Sequence, residues 1–354
     1  MKRIVLAITA VAALAACTKS EVAYEAPAEI GFNVVAGNIT KAVVDGETYP
    51  TSLPMYVFAE TMDNTAAAPN YINDGLFTHQ GVATGTTTNV WGGDPDPYYW
   101  PNVKTLHFAG YSKSGNADGS YDCSTGVLSI TGYTPGFETG AGVNDLMWFP
   151  TTELKVPDGY GKATKFVPVD MYHTCAWITF IVKGDDVTGV SGYTVKSLTI
   201  NNVDLTADVA CSATLVDDKV TPSIVWTNNA AQTENYAVPF KTATGVVLNK
   251  TGINVETDDA TTTSGNVVLV PQTAAKLTVV YSYKSSTGAE ITETVDDLSL
   301  ALTKATEDAT DATGPGSWEA GKHYIYTITI KANEILIAPT PVDWDDENWN
   351  ITVE

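Results

Sequence analysis

No stretch of this chain sustains a helical period over several turns. Short runs rich in Val, Ile, Thr, Tyr and Phe recur instead, broken by Gly, Asn, Asp and Pro. Apolar residues at every second position line one face of a strand, whereas a helix needs them at i, i+3 and i+4. Ile30, Phe32 and Val34 show the strand pattern at the start of the chain. Further runs follow at 55–59, 71–78, 105–111, 127–133 and 146–149. A second group begins at Phe166 and includes 177–182, 193–203, 211–215, 223–226, 236–240, 267–270, 277–283, 323–330 and 334–337. Many short strands separated by turn residues predict an all-β chain built of β-sandwiches. Between the groups lies Pro157-Asp-Gly-Tyr-Gly-Lys-Ala-Thr164, polar and rich in turn residues. It predicts a domain boundary within about ten residues of that segment. Pro339 and Pro341 are expected to end the strand run before the last segment.

The N-terminus carries an address. Lys2 and Arg3 precede an apolar run, Ile4 to Leu14, and then Leu14-Ala15-Ala16-Cys17. A basic start, a short apolar centre and small residues before a cleavage point predict a signal peptide over 1–16. The run is too short for a permanent transmembrane helix. Leu-Ala-Ala-Cys resembles the lipobox of bacterial lipoproteins, which makes Cys17 the lipidated first residue of the mature chain. Acyl chains contribute about 0.8 kcal/mol per buried CH₂, so more than one gives stable anchoring.

Charge narrows the partners. The formal net charge is −22, and loss of Lys2 and Arg3 takes it to −24 (17 basic against 41 acidic side chains). Such a surface repels nucleic acid and anionic lipid head groups. Arginine does not occur after Arg3, so a trypsin-like protease must cut the mature chain at lysine. Beyond Cys17 only Cys123, Cys175 and Cys211 remain. One disulfide or three free thiols fits that count. The placing of Cys175 and Cys211 inside apolar runs favours buried free thiols.

Chemistry-bearing motifs are sparse. The four histidines, His79, His107, His173 and His323, form no His-Glu-x-x-His signature, and no Gly-x-Ser-x-Gly elbow occurs. They read as structural or surface residues. An extracellular hydrolase with a pair of carboxylates is a rival reading, but nothing singles out two of them. Asp343, Asp345, Asp346 and Glu347 lack the spacing and turn glycine of a calcium loop and read as solvated. No catalytic residue, metal site or cofactor is expected. Trp91, Tyr98, Tyr99 and Trp100 form the densest aromatic patch. Trp100 is expected in the core. Trp91 and Tyr98, flanked by Gly and Pro, are candidates for an exposed sugar-stacking surface.

Several local patterns occur in a telling order after the lipobox. They are Tyr99-Trp100-Pro101 with Leu106-His107-Phe108-Ala109-Gly110-Tyr111, then Val167-Pro168-Val169 with His173-Thr174-Cys175-Ala176. Val268-Leu269-Val270-Pro271-Gln272 follows, and lastly Trp318-Glu319-Ala320-Gly321-Lys322-His323-Tyr324-Ile325-Tyr326 with Val342-Asp343-Trp344. This set resembles the fimbrillin family of Bacteroidales, the subunits of type V pili and related surface lipoproteins.

The resemblance implies two tandem transthyretin-like, Greek-key β-sandwiches, over 42–164 and 165–338. A lipidated leader with the first strand would occupy 17–41, and a tail 339–354. It implies export to the outer membrane as a lipoprotein, cleavage of the leader, and insertion of a strand from another copy or a related pilin into the groove left behind. Thr40-Lys41-Ala42 stands where many members have Thr-Arg-Ala, so cleavage is expected between Lys41 and Ala42. Ile30, Phe32 and Val34 would be the placeholder strand. Trp349, Ile351 and Val353, also apolar at every second position, would be the donor. Three buried large side chains contribute roughly 5–9 kcal/mol before ordering costs. Two simpler readings stand beside this: the last strand pairs within its own domain, or the protein stays anchored and binds a glycan or host protein without polymerising.

Overall fold

In a computed structural model, the structure describes residues 28–35, 49–61, 64–83, 86, 88–101, 106–112, 118–138, 142–150, 166–184, 192–216, 219–228, 234–240, 244–255, 267–273, 275–285, 287–300, 317–331 and 334–343. Cys17, Lys41, Ala42, Trp349, Ile351 and Val353 lie outside them. The described residues contain strands and no helix. In chain order the strands are β1 Gly31–Val35, β2 Met55–Thr61, β3 Ile72–Val82, β4 Asn89–Gly93, β5 Leu106–Ser112, β6 Gly119–Asp122, β7 Val127–Tyr133 and β8 Gly136–Glu138. Next come β9 Gly142–Asn144, β10 Met147–Pro150, β11 Val167–Asp170, β12 Tyr172–His173, β13 Ala176–Gly184, β14 Thr194–Val203, β15 Ala207–Val216 and β16 Lys219–Thr227. The last are β17 Glu234–Ala237, β18 Val246–Val247, β19 Ile253–Asn254, β20 Val267–Leu269, β21 Lys276–Lys284, β22 Glu290–Ser299, β23 Lys322–Lys331 and β24 Glu334–Asp343.

The first sheet has eight strands in the order β11-β1-β4-β3-β2-β5-β10-β12. Its two ends are one stretch of chain, because only Met171 separates β11 from β12. That stretch pairs with β1 through Val167–Asp170 and with β10 through Tyr172 and His173. The sheet therefore closes on itself around a core of Ile30, Phe32, Val57, Phe77, Trp91, Phe108 and Phe149, among others. Closure removes the open edges that would otherwise template pairing with another chain.

The C-terminal part is a sandwich of two five-stranded sheets. In one, β13 runs parallel to β23 over nine positions, β24 forms the edge, and β19 and β20 share the other side of β13. In the other, β14 and β21 are central, with β22 on one side and β17 and β18 on the other. Ile178, Phe180, Tyr324, Tyr326 and Ile328 from the first sheet meet Val195, Leu198, Leu277 and Val279 from the second. Alternation along each strand sends these residues inward.

A third core joins the halves. Strands β6 and β7 pair with β15 and β16 in one four-stranded sheet, so segments far apart in sequence share a ladder. Phe58, Tyr111 and Trp148 leave the outer face of the first sheet and pack with Leu128, Ile130, Val209, Cys211, Cys175 and Val268. The continuous apolar runs of β2, β5 and β10 follow from this: strands covered on both faces lose polar alternation. The division expected at 164 is thus bridged by two sets of contacts, with 167–173 returning to the first core and β15–β16 extending β6–β7.

Pro339 and Pro341 do not end the strand run. β24 continues to Asp343, pairing Pro339 with Tyr326 and Pro341 with Tyr324. It is an edge strand, where a residue without an N–H is tolerated. Residues 339–343, expected to open the tail, are therefore paired within the chain.

Candidate strand-exchange site around the first strand

β1 sits in the interior of the first sheet, between β11 and β4. β1 pairs antiparallel with β4, Gly31 opposite Gly92 and Phe32 opposite Trp91. On its other edge it runs parallel to β11, Phe32 opposite Val167 and Val34 opposite Val169. Ahead of it, the Ile30 amide donates to the Tyr98 carbonyl at 2.7 Å and the Trp100 amide donates to the Ala28 carbonyl at 2.9 Å. Ile30, Phe32 and Val34 all face the core, and Phe32 is 0% exposed. The Phe32 ring meets Phe77 at 5.1 Å and Phe108 at 5.3 Å edge-on, and Phe149 at 5.9 Å. Such edge-to-face pairs add to the apolar burial. All three belong to the core of the first sheet. The chain continues from Val35 through 36–48, which contains Lys41 and Ala42, to Tyr49.

The expectation for Trp91 is corrected. Its side chain is 0% exposed, its indole N–H donates to the Leu53 carbonyl at 3.2 Å, and it packs on Tyr49 and His79. The neighbouring glycines suggested an open loop, but Gly92 lies within β4 opposite Gly31. Tyr98 is half-buried and stacks on Phe77 at 5.5 Å. Trp91, being buried, offers no exposed platform for sugar stacking. Trp100 is buried, as expected.

The recurrent sequence patterns are structural ties. Gln272 donates to the Asp204 and Val270 carbonyls and accepts from the Asp204 amide at 2.8 Å. Trp318 donates its indole N–H to the Tyr326 hydroxyl at 2.8 Å, which donates to the Leu300 carbonyl at 2.9 Å. Thr174 donates its hydroxyl to the Leu146 carbonyl at 2.8 Å, and Trp226 donates to the Thr174 carbonyl at 2.6 Å. The first ties the second half to the first, and the second holds β16 beside that join.

Each histidine has a structural partner. His173 Nδ1 bonds the Asp145 carboxylate, both almost fully buried, where β12 closes onto β10. His323 stacks face to face on Trp177 at 3.3 Å and bonds the Thr179 hydroxyl at 3.0 Å. Burial holds its pKa well below the ordinary imidazole value. His79 bonds Asn89, and His107 lies 3.7 Å from Glu60. Cys123, Cys175 and Cys211 are free thiols. Burial pushes the Cys211 thiol up to about 12 and that of Cys175 higher still, with Asp145 adding to the latter. These groups hold the fold and are not poised for chemistry.

Comparison with known proteins decides the family. The fimbrillin-like family profile matches residues 40–344. The chain belongs to the fimbrillin-like family. The family is one of fimbrial structural subunits, not of enzymes. A fimbrial protein from Bacteroides vulgatus has the same fold, with TM-score 0.53 and 16% identity over 89% of this chain and 99% of that one. A Bacteroides uniformis protein proposed to act in cell adhesion aligns at TM-score 0.49 and 14% identity, over 89% and 98%. A fimbrial assembly protein from Parabacteroides distasonis aligns at TM-score 0.40 and 13% identity, over 90% and 99%. No curated protein matches the chain. The family match begins beyond β1 and ends ahead of Trp349.

Proposed function

We propose that this fimbrillin-like protein is exported as a lipoprotein anchored through Cys17, cut between Lys41 and Ala42, and polymerised by strand exchange at the cell surface. The observation that carries this reading is the position of β1. It is an interior strand, buried through Ile30, Phe32 and Val34, yet it lies N-terminal to the lysine-bearing segment 36–48. A cut there leaves β1 held by pairing and packing alone. Its departure opens the closed sheet between β4 and β11 and exposes two unpaired strand edges above an apolar groove. A strand from another subunit satisfies both by β-augmentation. Trp349, Ile351 and Val353 supply three apolar side chains at the same spacing as the leader.

The product is a fimbrium at the outer membrane built from copies of this chain or related pilins, contributing to adhesion. A permanently anchored glycan binder loses one of its two leading rings, since Trp91 is buried. Treatment of the full-length chain with a trypsin-like protease tests the proposal. The native sequence should yield assemblies of high mass, and Lys41→Gln should stay monomeric. Equal assembly of the two would reject processing at Lys41.

A further inference from the structure

Gly31 is the second residue of the alternating leader, and its outward side is not open to solvent. A Cβ built there would lie 2.7 Å from Cδ1 and 3.1 Å from Cε1 of Phe166, and 3.3 Å from Cγ1 of Val90. Phe166 immediately precedes β11, one register position from the Val167–Phe32 pair. Its ring therefore lies over the outer face of β1 at Gly31 and reaches toward β4. The backbone of Gly31 is not left-handed, unlike that of Gly81 or Gly321, so conformational freedom is not why glycine stands here. Space is the reason. An aromatic ring laid across a strand glycine covers the backbone that a side chain would otherwise cover.

We propose that Phe166 makes the groove vacated by β1 selective for a strand with glycine at the position of Gly31. The inference rests on the strand-exchange reading and names a specificity-determining contact within it. Any larger residue at that position must push the Phe166 ring aside or sit out of register. The inward anchors set how tightly a strand is held, and Phe166 sets which strands enter without rearrangement. The tail Trp349–Val353, aligned on all three anchors, places Asn350 at this position in one direction and Thr352 in the other. Its entry therefore requires displacement of Phe166, whereas the leader seats beneath the ring.

The test uses the full chain carrying one engineered protease site within 36–48, nicked so that a fluorescently labelled leader remains seated. Unlabelled peptides of residues 28–35, native or Gly31→Asn, compete for the groove. The Gly31→Asn peptide should compete about tenfold or more weakly than the native one, the scale of overpacking a filled site. Phe166→Ala in the protein should bring the two peptides close together. Equal competition in the native protein overturns the proposal, as does a deficit that Phe166→Ala leaves in place. Failure of even the native peptide to displace the leader overturns the strand-exchange reading itself. In the uncut chain, Gly31→Asn should lower the melting temperature less in the Phe166→Ala background than alone, and equal losses overturn the contact independently of exchange.

Discussion

Removing the central anchor of the leader gives a prediction whose size follows from the packing. Phe32 is fully buried, with three phenylalanine rings within 5.9 Å. Truncation of such a side chain to alanine costs about 3–5 kcal/mol, the transfer free energy plus the cavity left among rigid neighbours. Domain stabilities are of order 5–15 kcal/mol, so Phe32→Ala is a severe but survivable loss in the uncut chain. After a cut within 36–48 the same loss falls on the seated leader alone. Its release should accelerate by roughly 10²- to 4 × 10³-fold if the loss appears in the off-rate. Asn33→Ala, in the same strand but facing outward, is the control and should change release by less than about threefold. Stopped-flow loss of fluorescence polarisation from a labelled leader reads both rates. Similar release for Phe32→Ala and Asn33→Ala would show that the inward face does not hold the strand.

Three further outcomes follow. Asp145→Asn removes the carboxylate from the buried pair with His173 and should cost about 3–5 kcal/mol by urea denaturation, while a loss below ~1 kcal/mol would show that the pair does not tie β12 to β10. Cys175 and Cys211 should resist alkylation at pH 8 until the chain unfolds, because burial raises both thiols far above that pH; modification of either in the native state would contradict their place in the shared core. His323 is buried with a lowered pKa, so the unfolded chain takes up a proton that the native chain refuses. Its contribution to stability is complete above pH ~6.5 and is lost as pH falls toward the folded pKa, by up to about 1.4 kcal/mol per pH unit. His323→Phe should flatten the acid limb of the stability curve by that amount, and an unchanged slope would reject the assignment.

Local alternation was legible, and long-range pairing was not. Ile30, Phe32 and Val34 announce one inward face from their spacing alone, and the structure buries all three. The return of 167–173 to the first core and the union of β6–β7 with β15–β16 depend on which distant segments meet, and a period of two carries no such information. Gly92 and Gly93 read as a turn in the sequence, yet a strand glycine also marks close approach, here of the Gln80 side chain, whose Cγ would lie 3.0 Å from a Cβ at Gly92. Pro339 and Pro341 misled because proline stops an interior strand, while β24 is an edge. The contact of Phe166 with Gly31 emerges only once the parallel register of β1 and β11 is known. The family patterns were legible as a set, but their roles as ties around Gln272, Thr174 and Trp318 needed the geometry.

The most direct test of strand exchange is the intact mass and N-terminal sequence of the protein recovered from its native cell surface. The account predicts a chain beginning at Ala42, without lipid, in assemblies of high mass. A lipidated chain still beginning at Cys17 and found only as a monomer would contradict it.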